Sequence, residues 1–559
     1  MLSQDKLQTL VQGLENKFQT VKPLYKDIRD FINPYIGRFE NDNPATETRH
    51  DEYLLRTMTI KYANVLAAGL QSGITSPTKK WFKLSTADKQ LMQNSDVRIW
   101  LADVEQIVFD LLSRGHFYQA NLQANLELGC FGTSAMMIED DPLLGVRFHT
   151  FTAGEYFIDV NLRNEIDIFA RKVKMSARQI CELFGERNVP ESISSQKYSP
   201  NSAGYYTTYQ LILPNEDYDP NMWVSSRFKF AEYYWVEGIP DCFRMSGYHE
   251  FPVAVARWQI KPNSPYGIGA GVWSARTARE LQLAQKNVVQ MSELMANPPL
   301  QAPADILANG GVNMLPSYVN YYNPVGNSNG MISPILDSRT FNMEGVLLHR
   351  QSLEEEIKEH FYYNVFQLLS DMDKGTRTAR EIVELSSEKM AQMGALVDRM
   401  ETEVLPLIVS RVLNIGFRNR MFPQPPRALK NQSLNIQFES VLSQAQRQAD
   451  ITPIVDTLET AINVANTAQI PEVLDIINFD EALEKIATYN GIDPRIIKSK
   501  EEVAQIRQQR AQQQQALLAQ QQQMAAAETA KSMSQAKMDT PSALTELLGG
   551  ATPNGLQSY

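Results

Sequence analysis

The chain is predicted to be an α+β protein, mainly α, and three observations carry that prediction. Apolar residues recur at helical spacing through both ends of the sequence. Aromatic and β-branched runs divided by turn residues fill 147–258, as an antiparallel sheet requires. Two long helical patterns, at 272–295 and 346–370, flank an insert rich in Pro, Asn and Gly. A helical hairpin with a small module at its tip suits a part of an assembly better than a catalyst.

Taken in order, Leu7, Leu10, Val11, Leu14, Phe18 and Val21 form the apolar stripe of a first helix, with a kink expected at Pro23 before Leu24, Ile28 and Phe31. An amphipathic helix of this kind needs a partner. Further helices are expected at 51–70 and 96–128, joined by a loop at 72–84 that holds Pro77 and Trp81. Strands follow at 147–159, 166–173, 205–213, 228–236 and 251–258. The insert at 297–342 carries Pro298, Pro299, Pro303, Pro316, Pro324 and Pro334, too many for helix interiors, so short strands and loops are expected there. A third long helical pattern runs over 378–420 and should bend at Pro406; 422–426 breaks it, 433–438 alternates as a strand, and 441–490 reads as helices punctuated by Pro453 and Pro471. From 501 onward Gln and Ala dominate, both good helix formers, but a lone polar helix buries little apolar area and should be disordered alone or zipped against its own copies.

Length and composition narrow the function. At 559 residues the chain should hold three or more folding units. Hydrophobic residues make up 43 % and charged residues 21 %, and no apolar run approaches the roughly 18 residues that cross a bilayer. The first ten residues lack a secretory apolar core, so folding in a cytoplasm is expected. Cys130, Cys181 and Cys242 are too far apart for a CxxC motif and are expected to be buried small apolar side chains. The formal net charge of −11 disfavours extensive gripping of DNA, which would need a local basic patch against a repelling background.

Spacing decides among the candidate motifs. SGITSPTKK at 72–80 resembles a phosphate-binding loop but has Thr78 in place of the required glycine before Lys79. Gly267, Gly269 and Gly271 follow a strand and precede a helix, yet the spacing is GxGxG with Pro262 and Pro265 nearby, so a glycine-rich helix start is preferred to a dinucleotide site. Asp371, Asp373 and Gly375 fail the calcium-loop pattern, because the sixth position is Thr376 and the twelfth Ile382. The acidic turn Glu139–Asp140–Asp141 reads as solvated rather than metal-binding, and His50, His116, His149, His249, His349 and His360 show no HExxH spacing. No GxSxG elbow is present. Neither an enzyme nor a cofactor is expected. One charge pattern stands out: Arg276, Arg279 and Lys286 on the first long helix, against Glu354, Glu355, Glu356 and Glu359 on the second, would let these helices pair between neighbouring subunits.

Three segments carry a resemblance: LAAGLQSGITSPTKKWFKL at 66–84, ELGCFGTSAMMIEDD at 127–141 and SPYGIGAGVWSARTARELQ at 264–282. In this order and spacing they resemble the head-to-tail connecting proteins, or portals, of short-tailed phages related to T7, over the sequence up to about residue 490. The resemblance implies a ring, expected to hold twelve subunits, at one capsid vertex. It implies a wing at 1–262 and 376–439, stem helices at 263–296 and 345–370, a small α/β clip at 297–344, a helical crown at 440–499, a barrel helix at 500–533 and a flexible tail at 534–559. A channel loop at 371–375 would carry Asp371, Asp373, Lys374 and Gly375, with Lys374 and Arg377 making sparse phosphate contacts. Implied partners are further copies of the chain, a terminase packaging motor, tail adaptor and tail proteins, major capsid and scaffolding proteins, and double-stranded DNA passing through the channel, in a virion made in the host cytoplasm, with no membrane. Competing readings are a nucleotide-dependent packaging enzyme, which lacks its phosphate loop, and another structural virion part such as a tail adaptor or internal core protein.

Overall fold

The computed structural model of the protein describes residues 4–39, 50–88, 91–198, 204–222, 225–303, 313, 315–322, 333–334, 343–371, 393–429, 434–438, 455–464, 467, 477–489 and 500–535. Helix and antiparallel sheet share one large apolar core, in agreement with the α+β prediction.

The first helix, α1 (Gln4–Gln19), buries Leu7, Val11, Leu14 and Phe18, and its partner is the sheet region: the Phe18 ring meets those of Phe157 and Tyr266 edge-on, each at 5.5 Å. Burying four such side chains contributes about 1.5–3 kcal/mol apiece, enough to hold a helix of this length on the sheet. At Pro23 the helix breaks rather than kinks. Helix α2 (Lys22–Phe31) starts there with the proline in its first turn, where a missing N–H costs nothing.

The expected helix at 51–70 begins later, because Asp51–Tyr53 forms a single 3-10 turn before α3 (Met58–Ile74). Strand β1 (Phe82–Thr86) follows. The pattern at 96–128 is two helices, α4 (Ser95–Arg114), capped by the Asn94 side chain on Asp96 N–H, and α5 (Phe117–Phe131). His116 sits between them in the left-handed region at φ 61°, which reverses the chain.

Two antiparallel sheets, not one, fill the middle of the sequence. Strand β2 (Thr133–Asp141) is central in a three-stranded sheet between β3 (Gly145–Phe151) and β9 (Val253–Arg257). A five-stranded meander holds β4 (Tyr156–Val160), β5 (Ile166–Ser176), β6 (Tyr205–Pro214), β7 (Phe230–Val236) and β8 (Ile239–Tyr248) in sequence order. A satellite core of α6 (Ala177–Phe184) and α7 (Glu191–Ser194) closes one end; it contains Cys181 and Cys242, and all three cysteines are buried and free, as expected.

After the short pair β10 (Gln259–Ile260) and β11 (Gly267–Ile268) comes the hairpin: α8 (Ala270–Ala296), three short strands and α9 (Met343–His360). In the expected tip module, β12 (Leu300–Pro303) runs parallel to β13 (Val319–Tyr322) and antiparallel to β14 (Ser333–Pro334). The second long helix was expected to be continuous to 370. It stops instead at Phe361–Tyr362, where Tyr362 takes φ 53° under the Trp258 ring (5.9 Å), and α10 (Tyr363–Asp371) restarts against α3.

Downstream, α11 (Gly394–Arg399) passes through a π-helical turn at Met400–Val404 into α12 (Leu405–Arg418). That turn sits just before Pro406: a proline in a continuing helix lacks its N–H, and a wider turn absorbs the defect. The predicted strand at 433–438 is β15 (Leu434–Phe438), paired antiparallel with β1. Helices α13 (Phe479–Tyr489) and α14 (Lys500–Gln535) follow, joined by a bidentate pair from Arg507 to Asp480 at 2.7 and 2.6 Å.

Candidate functional site

The hairpin starts from glycines. Gly132 ends α5 at φ 78°, and a Cβ on it would collide with the main chain of Ile268 and Gly269, while one on Gly271 would collide with the main chain of Cys130. Two of the segments singled out in the sequence, 127–141 and 264–282, therefore meet backbone to backbone. The GxGxG run serves close packing at a helix start, not a dinucleotide.

Along the hairpin, α8 and α9 are antiparallel, and polar side chains span them in falling register. Ser274 Oγ lies 3.1 Å from His360 Nδ1, the Thr277 hydroxyl donates to Glu356 at 3.0 Å, and Arg350 donates to Gln285 at 3.2 Å. Between these bridges lie the buried residues Ala278, Leu281 and Ala284 of α8 and Leu353 and Ile357 of α9.

At its root the hairpin is locked to the body of the subunit. Gln282 clasps the Arg56 main chain from both sides, accepting from its N–H at 2.9 Å and donating to its carbonyl at 3.1 Å. Glu354, only 8 % exposed, takes an ion pair from Arg56 at 2.9 Å and a hydrogen bond from the Tyr62 hydroxyl at 2.8 Å. Burial, and then the charge it donates to, hold the Tyr62 phenol far above its ordinary range.

The charged residues expected to pair between subunits therefore divide. Arg276, Arg279 and Lys286 lie on the exposed stripe of α8 and border a groove of about 820 Å³ with Phe31, Tyr53 and Leu283, and the Arg279 guanidinium sits 5.8 Å over the Phe31 ring. Glu355 and Glu359 are exposed on α9, Glu355 with Lys358 at 2.5 Å. Glu356 is exposed but bound to Thr277. Glu354 points inward and is committed to Arg56 and Tyr62 of its own chain, so it leaves the set available to a neighbour. Asp371 ends α10, and Asp373, Lys374, Gly375 and Arg377 lie outside the described residues.

Other motif residues take structural places. Asp141 accepts from the N–H groups of Leu143 and Leu144, which with Arg147 hold its carboxyl below the usual range; the acidic run expected as a solvated turn is instead the end of β2, the turn following at 142–144, and burial raises the pKa of the Glu139 carboxyl. Sequence reasoning did not single out the buried charges. Glu127, fully buried, accepts from Thr152 at 2.6 Å and Ala153 N–H at 3.1 Å, and burial raises its pKa to about 7. Arg411 is likewise buried and donates to the Ile138 carbonyl at 2.8 Å. Among the described residues, no cluster of His, Cys, Asp or Glu is arranged to hold a metal, and no helix is long and apolar enough to cross a membrane.

A helical hairpin stands on a mixed α/β body and carries a small strand module, and the comparisons give the class of such a chain. The family of bacteriophage head to tail connecting proteins matches residues 4–497, and this chain belongs to that family. The portal protein of Salmonella phage epsilon15 is 28 % identical over 541 residues, 96 % of each chain, and a probable portal protein of Bordetella phage BPP-1 is 30 % identical over 527 residues, 94 % of each. The chain's function is thus that of a phage portal, or head-tail connector, a structural component of the virion. These relatives support the portal family at large; the narrower tie to T7-related phages rests on the resemblance alone.

Proposed function

We propose that many copies of the chain, twelve by the family pattern, stand around a channel at one capsid vertex, with the α8–α9 hairpins side by side. The observation that carries this reading is the antiparallel hairpin itself: rigidly bridged, locked at its root, and presenting a basic stripe on one helix and carboxylates on the other. Arg276, Arg279 and Lys286 of one subunit would face Glu355 and Glu359 of the next. Exposed pairs contribute only about 0–1 kcal/mol each, so they set register while apolar contacts such as Leu283 in the groove supply affinity.

In this arrangement the hairpin is the stem, the β12–β14 module is the clip on which a terminase packaging motor and later tail proteins dock, and the body at 1–262 and 376–439 is the wing that meets capsid and scaffolding proteins. Helix α14 would be the barrel helix beyond a crown at 440–499. Double-stranded DNA passes through the bore, with Lys374 and Arg377 touching phosphates sparingly. A net charge of −11 suits conduction, because a strongly basic lumen would hold DNA through counterion release and resist sliding. Subunits made in the host cytoplasm would be built into the virion. Negative-stain imaging of the purified protein tests the reading: rings with a bore wide enough for a duplex support it, and a strictly monomeric preparation at high concentration sinks it.

A further inference from the structure

We propose that the outward stripe of α9 in one copy of the chain seats in the α8 groove of the next copy with no axial offset, Arg279 opposite Glu355 and Arg276 opposite Glu359. This fixes the register of the contact between neighbouring hairpins, and it rests on the portal reading.

The register follows from the geometry of a single hairpin. On α8, Arg276, Arg279 and Leu283 follow Ser274, Thr277 and Leu281 by two residues; on α9, Ser352, Glu355 and Glu359 follow Arg350, Leu353 and Ile357 by two. The earlier residue of each pair bridges to the partner helix or is buried between the bridges. Two residues are about 200° of helix, so each helix turns its second stripe almost directly away from the partner it has inside the hairpin. All six residues of those second stripes are exposed. Hairpins standing side by side then alternate α8 and α9 around a ring, and the two outward stripes are the surfaces that meet.

Height follows from symmetry. A closed ring relates its subunits by rotation without rise, so in upright hairpins a residue of the neighbour stands at the height it has in its own chain. The mean register of the bridges Ser274–His360, Thr277–Glu356 and Gln285–Arg350 brings Arg279 level with Glu355, Arg276 with Glu359 and Leu283 with Ser352, each to within about one residue, or 1.5 Å of rise. Both carboxylates thus meet a guanidinium, and a slip of one helical turn either way leaves at most one such pair. Glu355 also takes Lys358 of its own helix, and a carboxylate has acceptor sites for both. The groove's other carboxylates stand off the stripe: Glu280 lies 3.2 Å from His349 Nε2 of its own chain, and Glu52 belongs to the 3-10 turn. Leu348, more than half exposed, comes beside Lys286 and within about one turn of Leu283 and Val289, which are also more than half exposed, and burying the three supplies the apolar part of the contact. The occupant is a second copy because the chain itself carries the complement, cations three apart on α8 and carboxylates four apart on α9, in reversed order.

Cross-linking of the purified full-length protein tests this register. In Arg279→Cys with Glu355→Cys, and in Leu283→Cys with Ser352→Cys, which keeps all the charges, a short bis-maleimide should convert most of the chain into a ladder of covalent oligomers on a denaturing gel. Each single variant should stay a monomer there, since the three native cysteines are buried. Lys286→Cys with Glu359→Cys, displaced by about eleven residues or 16 Å, should give no ladder. A ladder from the displaced pair, or none from both level pairs, overturns the proposal. So does Leu283→Cys whose thiol stays closed to maleimide in dissociated chains, because the chain then fills its own groove. Imaging of the same samples keeps two failures apart: rings without a level ladder sink the register alone, and a strictly monomeric preparation sinks the portal reading with it.

Discussion

Replacing Glu354 by Ala should loosen the hairpin at its root while leaving its length intact. The carboxylate takes the Arg56 guanidinium at 2.9 Å and the Tyr62 hydroxyl at 2.8 Å. Hydrogen bonds to a charged group contribute about 1.5–3 kcal/mol each, and removing one partner leaves the others desolvated. The Arg56 side chain is 29 % exposed, so water restores part of its loss. The expected cost is therefore about 2–4 kcal/mol, below the full sum of two such bonds. A chain of this size opens in parts, so local opening of α9 is the quantity to read, by amide hydrogen exchange. At 1.4 kcal/mol per factor of ten, exchange across 350–360 should speed up by about 30-fold to several hundred-fold. Tyr62→Phe, which removes one bond and leaves the ion pair, should cost about 1.5 kcal/mol, the low end for a bond to a charged group, and Glu354→Gln should fall between. Exchange raised less than about threefold by Glu354→Ala, or raised equally by Tyr62→Phe, would refute the idea that this carboxylate is the lock.

Further expectations follow from other sites. Burial raises Glu127 from the ordinary carboxylate range to about 7, so the folded state holds a proton that the unfolded chain has released; stability should fall as pH rises between about 4.5 and 7, by about 2–4 kcal/mol in total, and Glu127→Gln should flatten that part of a melting-midpoint-against-pH curve. Gly154→Ala forces a side chain into the left-handed region and against the Arg38 carbonyl; a loss of about 1–3 kcal/mol is expected in denaturant titrations, and a neutral result would mean that the wall at 37–39 yields freely. Charge reversal at Lys374 and Arg377 should impair packaging or DNA retention while rings still assemble; lost rings or unchanged packaging would remove these residues from the channel.

The hairpin was legible because its signals are local. Helical periodicity marks α8 and α9, and the six prolines of 297–342 leave only short strands for its tip. Strand β2 was missed because its first six residues are all buried, which erases the alternation that identifies a strand. The break at Tyr362 was invisible because its cause, the Trp258 ring, arrives from about a hundred residues upstream. The inward turn of Glu354 could have been read. Leu353 and Ile357 define the buried stripe of α9, and position 354 lies three residues before 357 on its shoulder, whereas 355 and 359 fall on the opposite face. No spacing rule would have named Arg56 and Tyr62 as its partners, because that contact spans nearly three hundred residues.

The pairing of β1 with β15 has a consequence for biosynthesis. Thr86 finds its ladder partner in Leu434, so about 350 residues must be translated before this small sheet can close. At about 5–20 residues per second the gap lasts about 20–70 seconds, during which the hydrogen-bonding edge of Phe82–Thr86 has no mate. A polypeptide cut short anywhere before 434 keeps that edge bare for its whole life.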